Sequence, residues 1–162
     1  MDLNAQLRIS EVFTSIQGEA ATTGYPTTFI RLTGCPLRCD YCDSEYAFKE
    51  GSRYTINYLL EECRKAGVKH VCVTGGEPLA QPNCLKLLTV LCEADFIVSL
   101  ETSGAFDIEG IDDRVSIVMD IKTPDSCESD KNRLTNLDLI QFKDQIKIVI
   151  CSESDFRWFE LF

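Results

Sequence analysis

Several residue types and segments are scarce or missing in this 162-residue chain, and their scarcity excludes broad classes of function. The chain holds one histidine and one tryptophan, and 26 Asp and Glu outnumber 16 Lys and Arg, a formal net charge of −10. Such a charge repels phosphate backbones, so we expect no direct nucleic-acid binding. No run approaches the ~20 apolar residues that span a bilayer, and the polar, acidic first residues do not resemble a secretory leader. We therefore expect a cytoplasmic protein without a membrane segment.

The organisation of the chain is also simple. No internal repeat, low-complexity segment or proline-rich linker interrupts the sequence. Hydrophobic residues make up 44% of it, which is typical of a globular protein. A chain of this length is expected to fold as one domain over residues 1–162.

Cysteine, by contrast, is abundant, and three of the nine cysteines lie close together. Cys35, Cys39 and Cys42 have the spacing C-x3-C-x2-C. Iron–sulfur clusters are normally held by four Cys thiolates, so three close thiolates can hold a four-iron cluster and leave one iron open. An open metal position is where chemistry, rather than structural support, usually takes place. The spacing therefore predicts a reactive cluster.

Structural zinc and disulfides explain this spacing less well. A zinc site needs a fourth Cys or His at short spacing, and the single histidine, His70, is distant from Cys42 in sequence. Disulfides belong to oxidising compartments, and the cysteine count is odd. The other six cysteines lack metal spacing, and we expect mostly buried thiols. They are Cys63, Cys72, Cys84, Cys92, Cys127 and Cys151.

Apolar runs of strand length alternate with segments of helical periodicity, which predicts an α/β fold with a parallel sheet. Thr55 and Gly67 have the residue types of a helix cap and a helix end. The expected strands are 28–33, 71–74, 96–100, 115–119 and 145–150. The expected helices are 55–66, 82–94, 134–142 and 154 to the end.

Polar and glycine-rich residues follow the first four of these strands. They are the cysteine run, Thr74-Gly75-Gly76-Glu77-Pro78, Glu101-Thr102-Ser103-Gly104 and Asp120-Ile121-Lys122-Thr123-Pro124. In parallel α/β barrels the active site is built at the C-terminal ends of the strands. Four such motifs therefore predict one shared site.

These motifs resemble a known enzyme superfamily. The cysteine run with Tyr41 before its last cysteine resembles the radical S-adenosylmethionine (SAM) signature, and Gly75-Gly76-Glu77-Pro78 resembles the GGEP motif of that superfamily. Within it, segments 13–19, 29–32 and 42–44 are similar to the 7-carboxy-7-deazaguanine synthase family. The similarity runs from about Ser10 to Ile150. It implies a partial (β/α)6 TIM-like barrel of the radical SAM type.

The resemblance also implies cofactors and the residues that bind them. Cys35, Cys39 and Cys42 would hold a [4Fe–4S] cluster, and SAM would bind its open iron and give a 5′-deoxyadenosyl radical on reduction. An external electron donor such as flavodoxin would supply the electron. The implied SAM-binding residues are Tyr41, Cys42, Asp43, Gly76, Asp120, Ile121 and Lys122.

The implied reaction is a radical ring contraction. The substrate, 6-carboxy-5,6,7,8-tetrahydropterin, would lose ammonia and give 7-carboxy-7-deazaguanine, a precursor of queuosine and other 7-deazapurines. Glu101 would act near the rearranging carbon, and Ser44 would bind Mg2+ where the family has threonine. The implied substrate-binding residues are Ile16, Gln17, Gly18, Glu19, Arg31 and Thr74.

Two other functions remain open at this point. One is another radical SAM enzyme, such as a glycyl-radical activase, which would share the cysteine and GGEP features. The other is a non-catalytic iron–sulfur or interaction protein, because family members continue beyond the position that corresponds to Phe162. The sequence thus leads us to expect a barrel shortened at its C-terminus, with an apolar final segment that lacks a covering partner. The family resemblance also implies a homodimer.

Overall fold

The computed structural model describes residues 2–161 as seven strands and three α-helices. The strands are β1 (Gln6–Ile16), β2 (Pro26–Leu32), β3 (Ser52–Thr55), β4 (His70–Gly75), β5 (Ile97–Thr102), β6 (Ser116–Ile121) and β7 (Gln145–Ile148). The α-helices are α1 (Ile56–Ala66), α2 (Cys84–Glu93) and α3 (Glu153–Leu161). Short 3-10 helices lie at Glu45–Phe48, Pro78–Ala80, Pro124–Ser126, Ser129–Lys131 and Leu134–Leu139.

The strands form one open sheet in the order β3-β1-β2-β4-β5-β6-β7. β2, β4, β5, β6 and β7 run parallel, whereas β1 is antiparallel to both β2 and β3. The α/β class and the partial barrel are confirmed, because the five parallel strands are neighbours in one sheet that does not close. The sheet contains two strands, β1 and β3, that the apolar pattern did not predict.

The local signals at α1 act as the sequence predicts. The Thr55 hydroxyl accepts a hydrogen bond from the Tyr58 backbone N–H, and Gly67 ends the helix in the left-handed conformation at φ 69°. An N-cap of this kind stabilises a helix by about 1 kcal/mol. The buried face of α1 packs with α2 against the sheet, forming the main hydrophobic core.

Other predicted elements are shorter than expected. The expected helix 134–142 is a 3-10 helix over Leu134–Leu139. The buried Asn136 side chain donates hydrogen bonds to the carbonyls of Gly104 and Phe106. These side-chain bonds, rather than the backbone bonds of an α-helix, fix the segment against the loop after β5. The final helix begins at Glu153, and Phe162 lies outside the described residues.

The predicted burial of the six remaining cysteines holds for four of them. Cys63, Cys72, Cys84 and Cys92 are buried in the core, whereas Cys127 and Cys151 are exposed. Burial raises the pKa of Cys63 and Cys84 to about 12. Among residues 2–161, no helix is long and apolar enough to cross a membrane.

Candidate active site

A cavity of about 510 Å³ lies at the C-terminal ends of the parallel strands. Each of the four strand-end motifs contributes residues to its wall. Most of the predicted site residues line it: Gln17, Gly18, Glu19, Arg31, Cys35, Cys39, Tyr41, Cys42, Asp43, Ser44, Thr74, Gly76, Glu101, Asp120 and Lys122. We call this space the substrate cavity.

The three predicted cluster ligands are on one wall of the substrate cavity. Cys35, Cys39 and Cys42 are all free thiols and all half-buried. Partial burial raises the pKa of Cys35 and Cys39, and the neighbouring cysteines and the Glu77 and Glu128 carboxylates raise it further. A thiol must lose its proton to bind iron, so loading this loop releases protons.

Gly76 is what allows the end of β4 to pack against the cysteine loop. A Cβ at position 76 would lie 2.4 Å from the Gly34 carbonyl oxygen and 2.8 Å from the Cys35 Cβ. Gly75 is equally confined, since its φ is 151° and an added Cβ would lie 2.3 Å from the Leu32 carbonyl oxygen. The two glycines therefore bring backbone, rather than side chains, to the cavity wall beside the thiols.

Glu77 is an important residue that the sequence reasoning missed. Its side chain is 0% exposed. The carboxylate accepts hydrogen bonds from the Thr102 hydroxyl, from the backbone N–H and hydroxyl of Ser103, and from the Leu79 backbone N–H. It thereby joins the loop after β4 to the end of β5. A buried carboxylate is stable only when it is fully paired in this way.

Lys122, Asp120 and Tyr41 form a charged corner beside Cys39. The Lys122 ammonium lies 2.9 Å from Asp120 Oδ2 and 5.6 Å from the Tyr41 ring centre. Burial lowers the pKa of Lys122, but the Asp120 carboxylate more than offsets this, so the net shift is upward. The other Asp120 oxygen, Oδ1, is buried without a hydrogen-bond partner among residues 2–161. An unpaired acceptor in a cavity wall is suited to a ligand that carries N–H donors.

Glu101 is held in the wall of the cavity by two polar side chains. Its Oε1 accepts from Gln17 Nε2 at 3.2 Å, and its Oε2 accepts from the Thr74 hydroxyl at 2.8 Å. The three residues come from the loop after β1, from β4 and from β5. Sequence positions as far apart as 17 and 101 thus form one polar group.

The loop after β1 reaches across the cavity to the opposite edge of the sheet. Glu19 forms an ion pair with Lys147 of β7, and the Ala21 backbone N–H donates to Gln145 Oε1 at 2.7 Å. Burial lowers the pKa of Lys147, but the hydrogen bond to Glu19 and three nearby carboxylates raise it above its usual value. Sequence reasoning missed Lys147.

Arg31 and Ser44 already have partners in the structure. Arg31 Nε lies 2.7 Å from Glu11 Oε1, which also accepts from the Tyr46 hydroxyl. Burial raises the pKa of Glu11, but these two donors and the Arg31 charge lower it to below its usual value. The Ser44 hydroxyl donates to Asp43 Oδ1 at 2.7 Å.

Two predicted site residues do not line the substrate cavity. The Ile16 side chain is 59% exposed at the end of β1. Ile121 is fully buried in a second apolar cluster with Met119 and Ile117, because successive residues of a strand face opposite sides. Asp120 and Lys122 therefore face the cavity and Ile121 faces away from it.

Comparison with known proteins agrees with this arrangement. The family model described as the Radical SAM superfamily matches residues 29–126. The 7-carboxy-7-deazaguanine synthase of Chlorobaculum tepidum is 40% identical over 161 residues, which cover 98% of this chain and 73% of the relative. The chain belongs to the 7-carboxy-7-deazaguanine synthase family.

Two further family members show the same relationship. The synthases of Methanospirillum hungatei and Koribacter versatilis are each 38% identical, over 95% and 94% of this chain. The chain spans 65% and 68% of their lengths.

The crystal structure of QueE from Escherichia coli matches with a TM-score of 0.70 and 22% identity, covering 96% of this chain and 89% of that one. At that identity the match supports the fold alone.

Proposed function

We propose that this protein is a 7-carboxy-7-deazaguanine synthase, which contracts the ring of 6-carboxy-5,6,7,8-tetrahydropterin with loss of ammonia. The observation that supports this most strongly is the substrate cavity. It has three free thiols on one wall, and a polar group built on Glu101 with Arg31 and Glu19 on the others. The family relationship points to the same reaction.

The cysteine loop fits a [4Fe–4S] cluster, because its thiols are free, half-buried and backed by glycine backbone. The Lys122 corner fits SAM, whose amino group would supply donors to the unpaired Asp120 oxygen. Tyr41, Asp43 and Gly76 would complete this binding surface. When bound, the two cofactors supply radical chemistry that no side chain provides.

The remaining residues would bind and orient the substrate. Adjacent N–H groups on a pterin edge suit a carboxylate acceptor such as Glu19, and Gln17 and Thr74 would hold the Glu101 carboxylate against the reacting carbon. The planar Arg31 guanidinium suits the substrate carboxylate. Lys147 would have to release Glu19 when the pterin binds.

The product assay tests this proposal directly. The protein is reconstituted anaerobically with iron and sulfide, then given SAM, dithionite, Mg2+ and the carboxypterin. We expect 7-carboxy-7-deazaguanine and one ammonia per product. If 5′-deoxyadenosine forms from SAM but the pterin is unchanged, the protein is a different radical SAM enzyme. If a fully loaded protein forms neither compound, the non-catalytic alternative applies.

Magnesium binding by Ser44 gives a further prediction. A hydroxyl oxygen is a suitable ligand for a hard cation. Ser44→Ala is therefore expected to raise the Mg2+ concentration for half-maximal rate by about tenfold, which corresponds to a loss of ~1.4 kcal/mol in binding free energy. Ser44→Thr, the matched control, keeps the oxygen and restricts the rotamer, so it should respond to Mg2+ at least as well as the native protein. Unchanged Mg2+ stimulation in Ser44→Ala would remove this residue from the metal site.

The partners and location of the protein belong to the same proposal. An external one-electron donor such as flavodoxin and a cytoplasmic location follow from the proposed chemistry. A homodimer is supported by exposed apolar side chains along β7 and α3, including Ile146, Phe156 and Phe159.

A further inference from the structure

A second cavity, of about 410 Å³, borders the cysteine loop away from the substrate cavity. Its wall includes Gly34, Cys35 and Pro36 on one side and Gln6, Arg8 and Arg53 on the other. Within residues 2–161, Cys35 alone lines both cavities. We call the second cavity the outer basic pocket.

The two arginines of the outer basic pocket face each other. Arg8 and Arg53 are directly opposite in the antiparallel pairing of β1 with β3. Like charges at such a position destabilise a sheet. The Arg8 guanidinium donates to the Lys49 carbonyl at 2.8 Å, and neither arginine forms an ion pair with another residue of 2–161. The pocket therefore carries two positive charges that no carboxylate within the described chain neutralises.

The floor of the outer basic pocket is formed by Gln81 and the backbone to which it is hydrogen-bonded. Gln81 accepts from the Arg8 backbone N–H and donates to the carbonyls of Arg8 and Thr33, at 2.8 to 2.9 Å. These bonds join β1 to the loop after β4. Arg8 and Arg53 are both exposed, so their charges are open to solvent, while the Gln81 bonds fix the backbone from which Arg8 projects.

The charge of the pocket contrasts with the rest of the molecule. The chain has a formal net charge of −10. The substrate cavity contains the cations Arg31, Lys122 and Lys147, but four carboxylates outnumber them, those of Glu19, Asp43, Glu101 and Asp120. An acidic macromolecule would be repelled by most of this surface and attracted at the outer basic pocket, because charge complementarity steers association.

We propose that the outer basic pocket is the docking surface for an acidic one-electron carrier protein. The inference rests on the proposed function, in which Cys35 holds the cluster. SAM and substrate would fill the substrate cavity during turnover, whereas the outer basic pocket stays open and shares Cys35 with it. The transfer moves one electron and no atoms: the carrier is oxidised by one unit and the cluster is reduced by one.

Binding measurements test the docking surface independently of catalysis. The reconstituted protein is titrated with an acidic flavodoxin at several salt concentrations. We expect the affinity to fall as salt rises, and Arg53→Glu to weaken it by about tenfold with a smaller salt dependence. The matched control is Lys69→Glu, an exposed lysine that within residues 2–161 bonds only the Asp95 carbonyl and lies before β4, at the end of the sheet away from the cysteine loop. It changes the net charge equally and should alter the affinity less than about twofold.

Two reductants separate this inference from the proposed function. With dithionite, which needs no docking, Arg53→Glu should form product at the native rate. With limiting flavodoxin its rate should fall about tenfold, and Arg8→Glu should behave in the same way. Equal flavodoxin affinity in Arg53→Glu and Lys69→Glu would overturn the docking surface, and so would an equal loss of rate with both reductants. A native protein that makes no product with dithionite would contradict the proposed function, while the binding result would still decide the docking surface.

Discussion

Replacing Cys39 with alanine is expected to abolish both SAM cleavage and product formation. Cys39 is one of three free thiols on the wall of the substrate cavity, and its side chain forms no hydrogen bond with another residue of 2–161. With two thiolates the loop cannot hold a four-iron cluster stably, because even the native loop supplies one ligand fewer than a closed site. Enzymes accelerate reactions by at least about 10^6-fold, so the loss should exceed about a thousandfold.

The measurement for Cys39→Ala combines iron and sulfide content, visible charge-transfer absorption and the product assay. Cys127→Ala is a demanding control, because Cys127 is an exposed thiol close to the cysteine loop. Its Sγ lies 3.4 Å from Oδ2 of Asp40, which is a residue of that loop. It should keep its cluster and its activity. A Cys39→Ala protein that retains four irons and full turnover would show that this loop is not the cluster site, and loss of the cluster in Cys127→Ala would show that the loop does not act alone.

Among alanine substitutions in and around the site, Glu77→Ala is expected to cause the largest loss of stability. The substitution leaves two hydroxyls and two backbone N–H groups without their buried acceptor. An unsatisfied buried donor costs about 1–3 kcal/mol, so the total should be about 3 kcal/mol or more. In a domain of this size, that lowers Tm by about 10 °C.

Thermal and urea unfolding of the protein before cluster loading measure this effect. Glu93→Ala, at an exposed position of α2, removes the same side chain from the surface and should change Tm by less than about 2 °C. Glu77→Gln retains the shape and one acceptor oxygen, so we expect an intermediate loss. If Glu77→Ala unfolded at the native temperature, its hydrogen bonds would contribute nothing net to the fold.

The parallel strands and the convergence of their end motifs could be predicted because each signal is local. A continuously apolar strand such as β4 needs no partner to be recognised. β1 was missed because a bulge between Ile9 and Glu11 interrupts the alternation of buried and exposed side chains. β3 was missed because it is a four-residue edge strand without an apolar pattern, and its pairing with β1 defines it.

The same distinction applies to the site residues. Cys35, Gly76 and Glu101 stand out by motif or by position at a strand end. Lys147 lies within an apolar run, and nothing in its neighbourhood shows that it meets Glu19, because that contact joins β7 to a loop near the other end of the chain. Glu77 did leave a signal: an acidic residue before Pro78 has the pattern of a cap, and its carboxylate accepts from the Leu79 backbone N–H.

The contact between the β1–β2 loop and β7 also determines the order in which the protein can be built. Glu19 and Lys147 are 128 positions apart, and Ala21 and Gln145 are 124 apart. Contacts between such distant segments form late in folding, because the intervening chain must first be ordered. During synthesis the cysteine loop leaves the ribosome long before β7 does. The three thiols are therefore exposed until β7 completes the wall of the substrate cavity. Because only such long-range contacts join the β1–β2 loop to β7 here, we expect local opening of the folded molecule to begin at this contact.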